Sequence, residues 1–235
     1  MKTLQFVEAA DAQTKLDVLV EIGSVTIRPS TSQEIIVNAT YRHMDVWVER
    51  REDTVMVRAE QEDEFFLKLG RLFNNDHPKA ELIIELPAHC EIHAKTITGR
   101  LDVAGIDAPV TSRVTTGQLT LNEIHGPIYA KTITGKLVYK GALSQENHRF
   151  ETMTGEIVLT LPENTDAKLS AQAATGKLNC QLPLTNRHEE RHFVGGKLHG
   201  VLGSGTGRIK AKVGTGSLVI RPLPTTQKEP EKLVS

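Results

Sequence analysis

The sequence predicts an all-β protein, a flattened β-solenoid or stacked two-sheet repeat opened by an N-terminal β-meander. Three observations predict it. Thr directly before Gly, one residue, then Leu or Ile recurs along the second half of the chain. Apolar and polar residues alternate on both sides of each of these glycines. Aromatics make up 4% of the 235 residues while Gly numbers 18, so the core must be assembled from Val, Ile, Leu, Ala and Thr. Such a core suits thin, regular β-layers.

The opening strands come first. Leu16, Val18, Val20 and Ile22 alternate, and Val25 and Ile27 follow Gly23-Ser24. Ile35, Val37 and Ala39 alternate next, then Met44, Val46 and Val48, then Val55 and Val57. Polar turns such as Arg28-Pro29-Ser30 and Arg51-Glu52-Asp53 separate them, and the order reads as a meander over residues 15–80. An insertion at 60–78 breaks it. Its Phe65, Phe66, Leu69, Leu72 and Phe73 are a candidate interaction element. So many apolar groups are expected either to latch over the stack or to meet a partner, a second copy or a membrane interface. The acids at 60–64 argue against an anionic membrane.

The repeats follow over 82–221. Their corners are expected at Thr98-Gly99, Thr116-Gly117, Thr134-Gly135, Thr154-Gly155, Thr175-Gly176, Thr206-Gly207 and Thr215-Gly216. Seven, five and three residues before the Gly stand Ile92, Ala94, Thr96, then Val110, Ser112, Val114, then Ile128, Ala130, Thr132. Two and four residues after it stand Leu101 and Val103, Leu119 and Leu121, Leu137 and Tyr139. Each unit is thus two half-buried strands, and the Gly shifts the alternation by one, as a bulge or corner does. The Thr before it is expected to keep the inward parity and to build a threonine ladder. A unit of this size buries no face by itself, so stacking supplies the core. No linker separates the opening strands from the repeats, so residues 1–222 read as one continuous domain. The proline-containing tail at 223–235 is expected to be disordered.

The T-x-T-G-x-L units after an opening strand–Gly–strand resemble the bacterial "putative adhesin" domain family of β-solenoid repeat proteins, over roughly residues 15–222. The resemblance implies a non-catalytic β-rich scaffold and supplies no catalytic residues. Some relatives are attached to envelope-stress response proteins or to membrane anchors.

Lys plus Arg is 28 and Asp plus Glu is 29, a net charge of −1 that gives no global field toward nucleic acid or membrane. Two cysteines, Cys90 and Cys180, are too few for a disulfide framework, and no C-x-x-C exists. No apolar run reaches the ~18 residues of a membrane helix, and the start of the chain lacks the pattern of a signal peptide, so a cytoplasmic location is expected.

Each chemical candidate has a structural reading beside it. Gly203-Ser204-Gly205-Thr206-Gly207 resembles a phosphate loop, but alternation follows it where a helix is required, so it reads as a turn. His188-Glu189-Glu190-Arg191-His192 matches the letters of a zinc-protease helix, yet no apolar helical face supports it, and it reads as a polar loop. His89 and His93 sit in a strand, where residues four apart lie ~13 Å from each other. Cys180 occupies a core column, and Asp102 and Asp107 form no close cluster. The expectation is therefore no catalytic residue, metal or cofactor. The function expected is a scaffold or adhesin-like binding module working through protein–protein contacts or self-assembly. The alternatives are a carbohydrate-active β-helix enzyme and a cytoplasmic component of an envelope-stress response.

Overall fold

The structure, a computed structural model, describes residues 1–61, 77–191 and 193–224. The described residues are all-β, with 14 strands in one sheet. The opening strands are β1 (Lys2–Ala9), β2 (Lys15–Pro29), β3 (Glu34–Arg42), β4 (Met44–Arg51), β5 (Thr54–Gln61) and β6 (Lys79–Leu86). Long bent strands follow: β7 (Glu91–Ile106), β8 (Val110–Ile124), β9 (Ile128–Lys140), β10 (Asn147–Leu161) and β11 (Ala167–Cys180). The hairpin of β12 (Thr185–Arg191) and β13 (Gly196–Leu202) leads to β14 (Gly207–Pro222).

The alternation read from the sequence becomes a parallel, in-register stack. β2, β7, β8, β9, β10, β14 and β11 lie side by side with their glycines aligned. Each strand bends at its glycine into two legs. Ile92 and Thr96 of the first leg and Leu101, Val103 and Ile106 of the second are fully buried, so the core lies between the legs. Burying a Val, Leu or Ile side chain is worth about 1.5–3 kcal/mol, and every layer repeats that gain against its neighbours. The return turns stack as well. Asp107 N–H donates to Ala88 O at 2.8 Å, and His125 N–H donates to Ile106 O at 2.8 Å one layer on.

The opening strands are not paired in chain order. β2 is parallel to β5 along its first leg, to β6 along its second, and to β7 on its other side. β5 and β6 together therefore take the place of one bent strand, with Ala80 of β6 opposite Gly23. Of the opening strands, β4 and β5 alone pair as chain neighbours, while β1 joins β3 and β3 joins β6. The physical reason is in β2 itself. Leu16, Val18, Val20, Val25 and Ile27 stand at the same offsets from Gly23 as the repeat columns do from theirs, and parallel stacking aligns those columns.

Two further differences lie at the far end. β14 inserts between β10 and β11. Gly207 opens β14 opposite Ala167 and lies outside the aligned glycines, so Thr206-Gly207 is a strand entry and not a corner. Of the His188–His192 segment, expected to be a polar loop, residues 188–191 belong to the edge strand β12, whose charged side chains blunt an exposed edge.

Candidate functional site

The aligned corners build an extended surface feature. Ala80, Gly23, Gly99, Gly117, Gly135, Gly155, Gly216 and Gly176 form one column across the stack. Gly117 has φ 135°. A Cβ on it would lie 1.8 Å from the carbonyl oxygen of Gly99, and the same holds for Gly135 against Gly117. No side chain fits at these glycines, so beyond Ala80 the column is a strip of bare backbone. Seven glycines span six strand spacings, about 29 Å.

Side chains rise beside the strip. On one flank the residue after each glycine points outward: Ser24, Arg100, Gln118, Lys136, Glu156, Ser217 and Lys177. On the other stand the threonines. They differ from the expected inward ladder, because Thr98, Thr116, Thr134, Thr154, Thr175 and Thr215 are all exposed. The reason is the turn of the chain just before the glycine. Thr96 pairs with Val114 and Thr98 with Thr116, but the residues between, Ile97 and Thr115, drop out of the ladder. Both positions preceding the glycine then face outward.

The glycines, the row that follows them and Thr98 line a groove of about 1610 Å³ that starts beside Arg42, His77, Pro78 and Lys79 and runs to Lys177. Its charges alternate sparingly. Lys136 Nζ and Glu156 Oε2 pair at 2.9 Å, and Lys79 pairs with Glu81. Glu81 and Glu156 stand five strand spacings apart, about 24 Å. Paired carboxylates that cleave a glycosidic bond stand about 5–9.5 Å apart. The groove thus offers a long, shallow cradle for an extended chain.

The remaining sequence candidates resolve separately. Phe65, Phe66, Leu69, Leu72 and Phe73 lie outside the described residues, and so does His192. His188 sits on edge strand β12 opposite His199, with Glu190 at 3.4 Å. His93 bonds Glu91 at 2.9 Å and His89 approaches Asp11 O at 3.2 Å, so the two serve different partners. Among the described residues no group of three His, Cys, Asp or Glu is arranged to hold a metal. Asp107 bonds His125 at 2.7 Å, and Asp102 lies on the outer side of β7.

The glycine-rich loop holds an anion, but an internal one. The Asp166 carboxylate accepts from Ser204 Oγ at 2.7 Å, from Gly205 N–H, and from Thr206 N–H at 3.1 Å. The Ser204 hydroxyl and these backbone donors hold the Asp166 carboxyl down at about 2. The loop's donors are consumed by the chain itself. Cys90 and Cys180 are buried free thiols, and burial pushes Cys90 up to about 11.

Sequence reasoning did not count Gly23 among the corners. Gly23 follows Ile22 and not a Thr, so the Thr-Gly pattern passes over it. The offsets of Val18, Val20, Val25 and Ile27 carry the signal that finds it.

Fold and groove define the class: a stack of bent parallel strands with a continuous corner cradle. The chain is similar to several solved structures. One is a "putative cell adhesion protein" from Clostridium sporogenes, 13% identical, covering 94% of this chain and 100% of that one at a TM-score of 0.44. A "putative adhesin" from Bacteroides fragilis is 12% identical, with 93% and 97% covered and a TM-score of 0.36. A "putative lipid binding protein" from Parabacteroides distasonis is 11% identical, with 94% and 96% covered and a TM-score of 0.36. No family model matches the chain, and no curated protein matches it.

Proposed function

We propose that the protein is a non-catalytic binding scaffold that holds an extended protein segment along its glycine corner. The groove carries this reading. It is about 29 Å long, open, floored by backbone and flanked by short or flexible polar side chains. An extended peptide of about nine residues matches that length. The wide separation of the groove's carboxylates favours binding over glycan cleavage. The reading includes a cytoplasmic location as a proposal, and the free thiols of Cys90 and Cys180 are compatible with a reducing compartment.

The test fills the cradle from its wall. Gln118→Trp with Ser217→Trp adds bulk at two half-exposed positions. Capture of partners from the native host should fall at least tenfold while the melting temperature stays within a few degrees. Unchanged capture by the doubly substituted protein would remove the groove as the binding site.

A further inference from the structure

The outer face of the first legs is a second surface, separate from the groove, and its chemistry differs from that of the whole chain. Residues of equal parity on a strand share a face. The side of the first legs that points away from the core carries Lys95, Arg113 and Lys131 in one row across β7, β8 and β9. Farther along the same face Arg208 stands opposite Lys168, and Lys210 and Lys212 continue on β14. Neighbours in a row are ~4.8 Å apart. None of these seven cations has a carboxylate partner among the described residues. Arg113 stacks on Tyr129 at 5.4 Å, with Arg149 on the same ring at 5.4 Å. On the outer side of the first legs of β2, β7, β8, β9, β10, β14 and β11 the acids are already engaged: Asp17 by Arg58 at 2.8 Å, Glu91 by Lys15 at 3.1 Å, Glu151 by Arg149 at 2.7 Å, and Glu21 by the Gln61 N–H at 2.8 Å. Asp45, Glu49 and Glu60 lie beyond β2 on β4 and β5, and Glu190 lies on the far edge strand β12. The net charge of −1 thus conceals one strongly basic face.

The same face ends in apolar groups. Two residues before the glycine, where the ladder lapses, Ile133 is 40% and Met153 is 61% exposed. The loop bearing Phe193 and Val194, both exposed, joins this corner through the Gly176 N–H, which donates to Val194 O at 2.6 Å. A broad sheet face of unpaired cations bordered by protruding apolar side chains is the composition of a lipid-interface element. A nucleic acid would use the cations but leave the apolar border without a role. The geometry points to docking of this face on an anionic lipid bilayer, with the cations over the headgroups and Ile133 and Met153 entering the interface.

The experiment is vesicle co-sedimentation of the full chain, using phosphatidylcholine vesicles with and without phosphatidylserine. Binding is expected with phosphatidylserine at low salt, should weaken as salt rises, and should be absent on phosphatidylcholine alone. Lys95→Gln with Arg113→Gln and Lys131→Gln should weaken it roughly 100-fold. Met153→Ser should weaken it several-fold. Lys140→Gln with Arg221→Gln, on the opposite legs, should change it little. The inference is overturned by absence of binding to phosphatidylserine vesicles, by equal losses in the two sets of charge variants, or by preferential binding of duplex DNA or heparin in competition. Partner capture through the groove is read in a different assay with different variants, so either result can fail without the other.

Discussion

At the scale of single residues, the corner separates two neighbours that look equally regular in sequence. Gly117 has no room for a methyl group, since its Cβ would meet the Gly99 carbonyl, and it holds φ 135°. Gly117→Ala should cost roughly 4 kcal/mol or more, because both a backbone clash and a strained dihedral must be relieved. The adjoining Thr116 is exposed, and Thr116→Val should change stability by less than about 0.5 kcal/mol. Denaturant unfolding of the two variants measures both, and equal effects would sink this account of the corner. His148 makes a different case. It is 2% exposed, with Nε2 at 3.0 Å from Ser144 O, and burial lowers its pKa below the ordinary value. The unfolded chain therefore takes up a proton that the folded one resists. Stability is full above the unfolded pKa near 6.5 and falls as pH drops below it. His148→Gln should flatten the stability profile between about pH 7 and 5, read as unfolding midpoints across that range.

At the scale of elements, the first legs carry an uneven row three residues before the glycines. Thr96, Val114 and Thr132 adjoin one another on β7, β8 and β9, all buried. The hydroxyls of Thr96 and Thr132 have no hydrogen-bond partner among the described residues. An unsatisfied buried hydroxyl costs about 1–3 kcal/mol, and Val114 shows that Val fits this row. Thr132→Val should thus raise stability by about 1 kcal/mol, seen as a later denaturant midpoint with an unchanged slope. A lower midpoint would mean that the hydroxyl has a partner. β7 to β10 were legible in the sequence because short turns and fixed offsets repeat the same columns. The outward threonines were not legible. Alternation predicts them inward, and the lapse of pairing at Ile97 and Thr115 arises only when adjacent strands share the corner.

At the scale of the whole molecule, local pattern places strands but not their neighbours. Nothing in the alternation of Ile209, Ala211 and Val213 tells β14 to enter between β10 and β11, because that position depends on which strand edges are open, and β13 occupies the other edge of β11. β2 illustrates the opposite case: its columns were readable, but its place beside β7 required matching offsets across more than 70 residues. The basic face was hidden for a similar reason. Composition sums charges over the chain, whereas Lys95, Arg113 and Lys131 meet only through the parallel register. The groove likewise has no address in any one segment, since each layer gives it one glycine and one flanking side chain.

The glycine column has a consequence for how such a protein can vary in size. Every layer presents the same bare backbone to the next, so a whole layer is an interchangeable part. Removing residues 110–127 would bring Gly99 against Gly135 with the same offsets on both legs, and duplicating them would add one more glycine between. The cradle would shorten or lengthen by one step of ~4.8 Å while its cross-section stayed the same. In this sense the corner works as a ruler, with the reach of the binding surface written in units of layers, and a span of a different length is reached by counting and not by redesign.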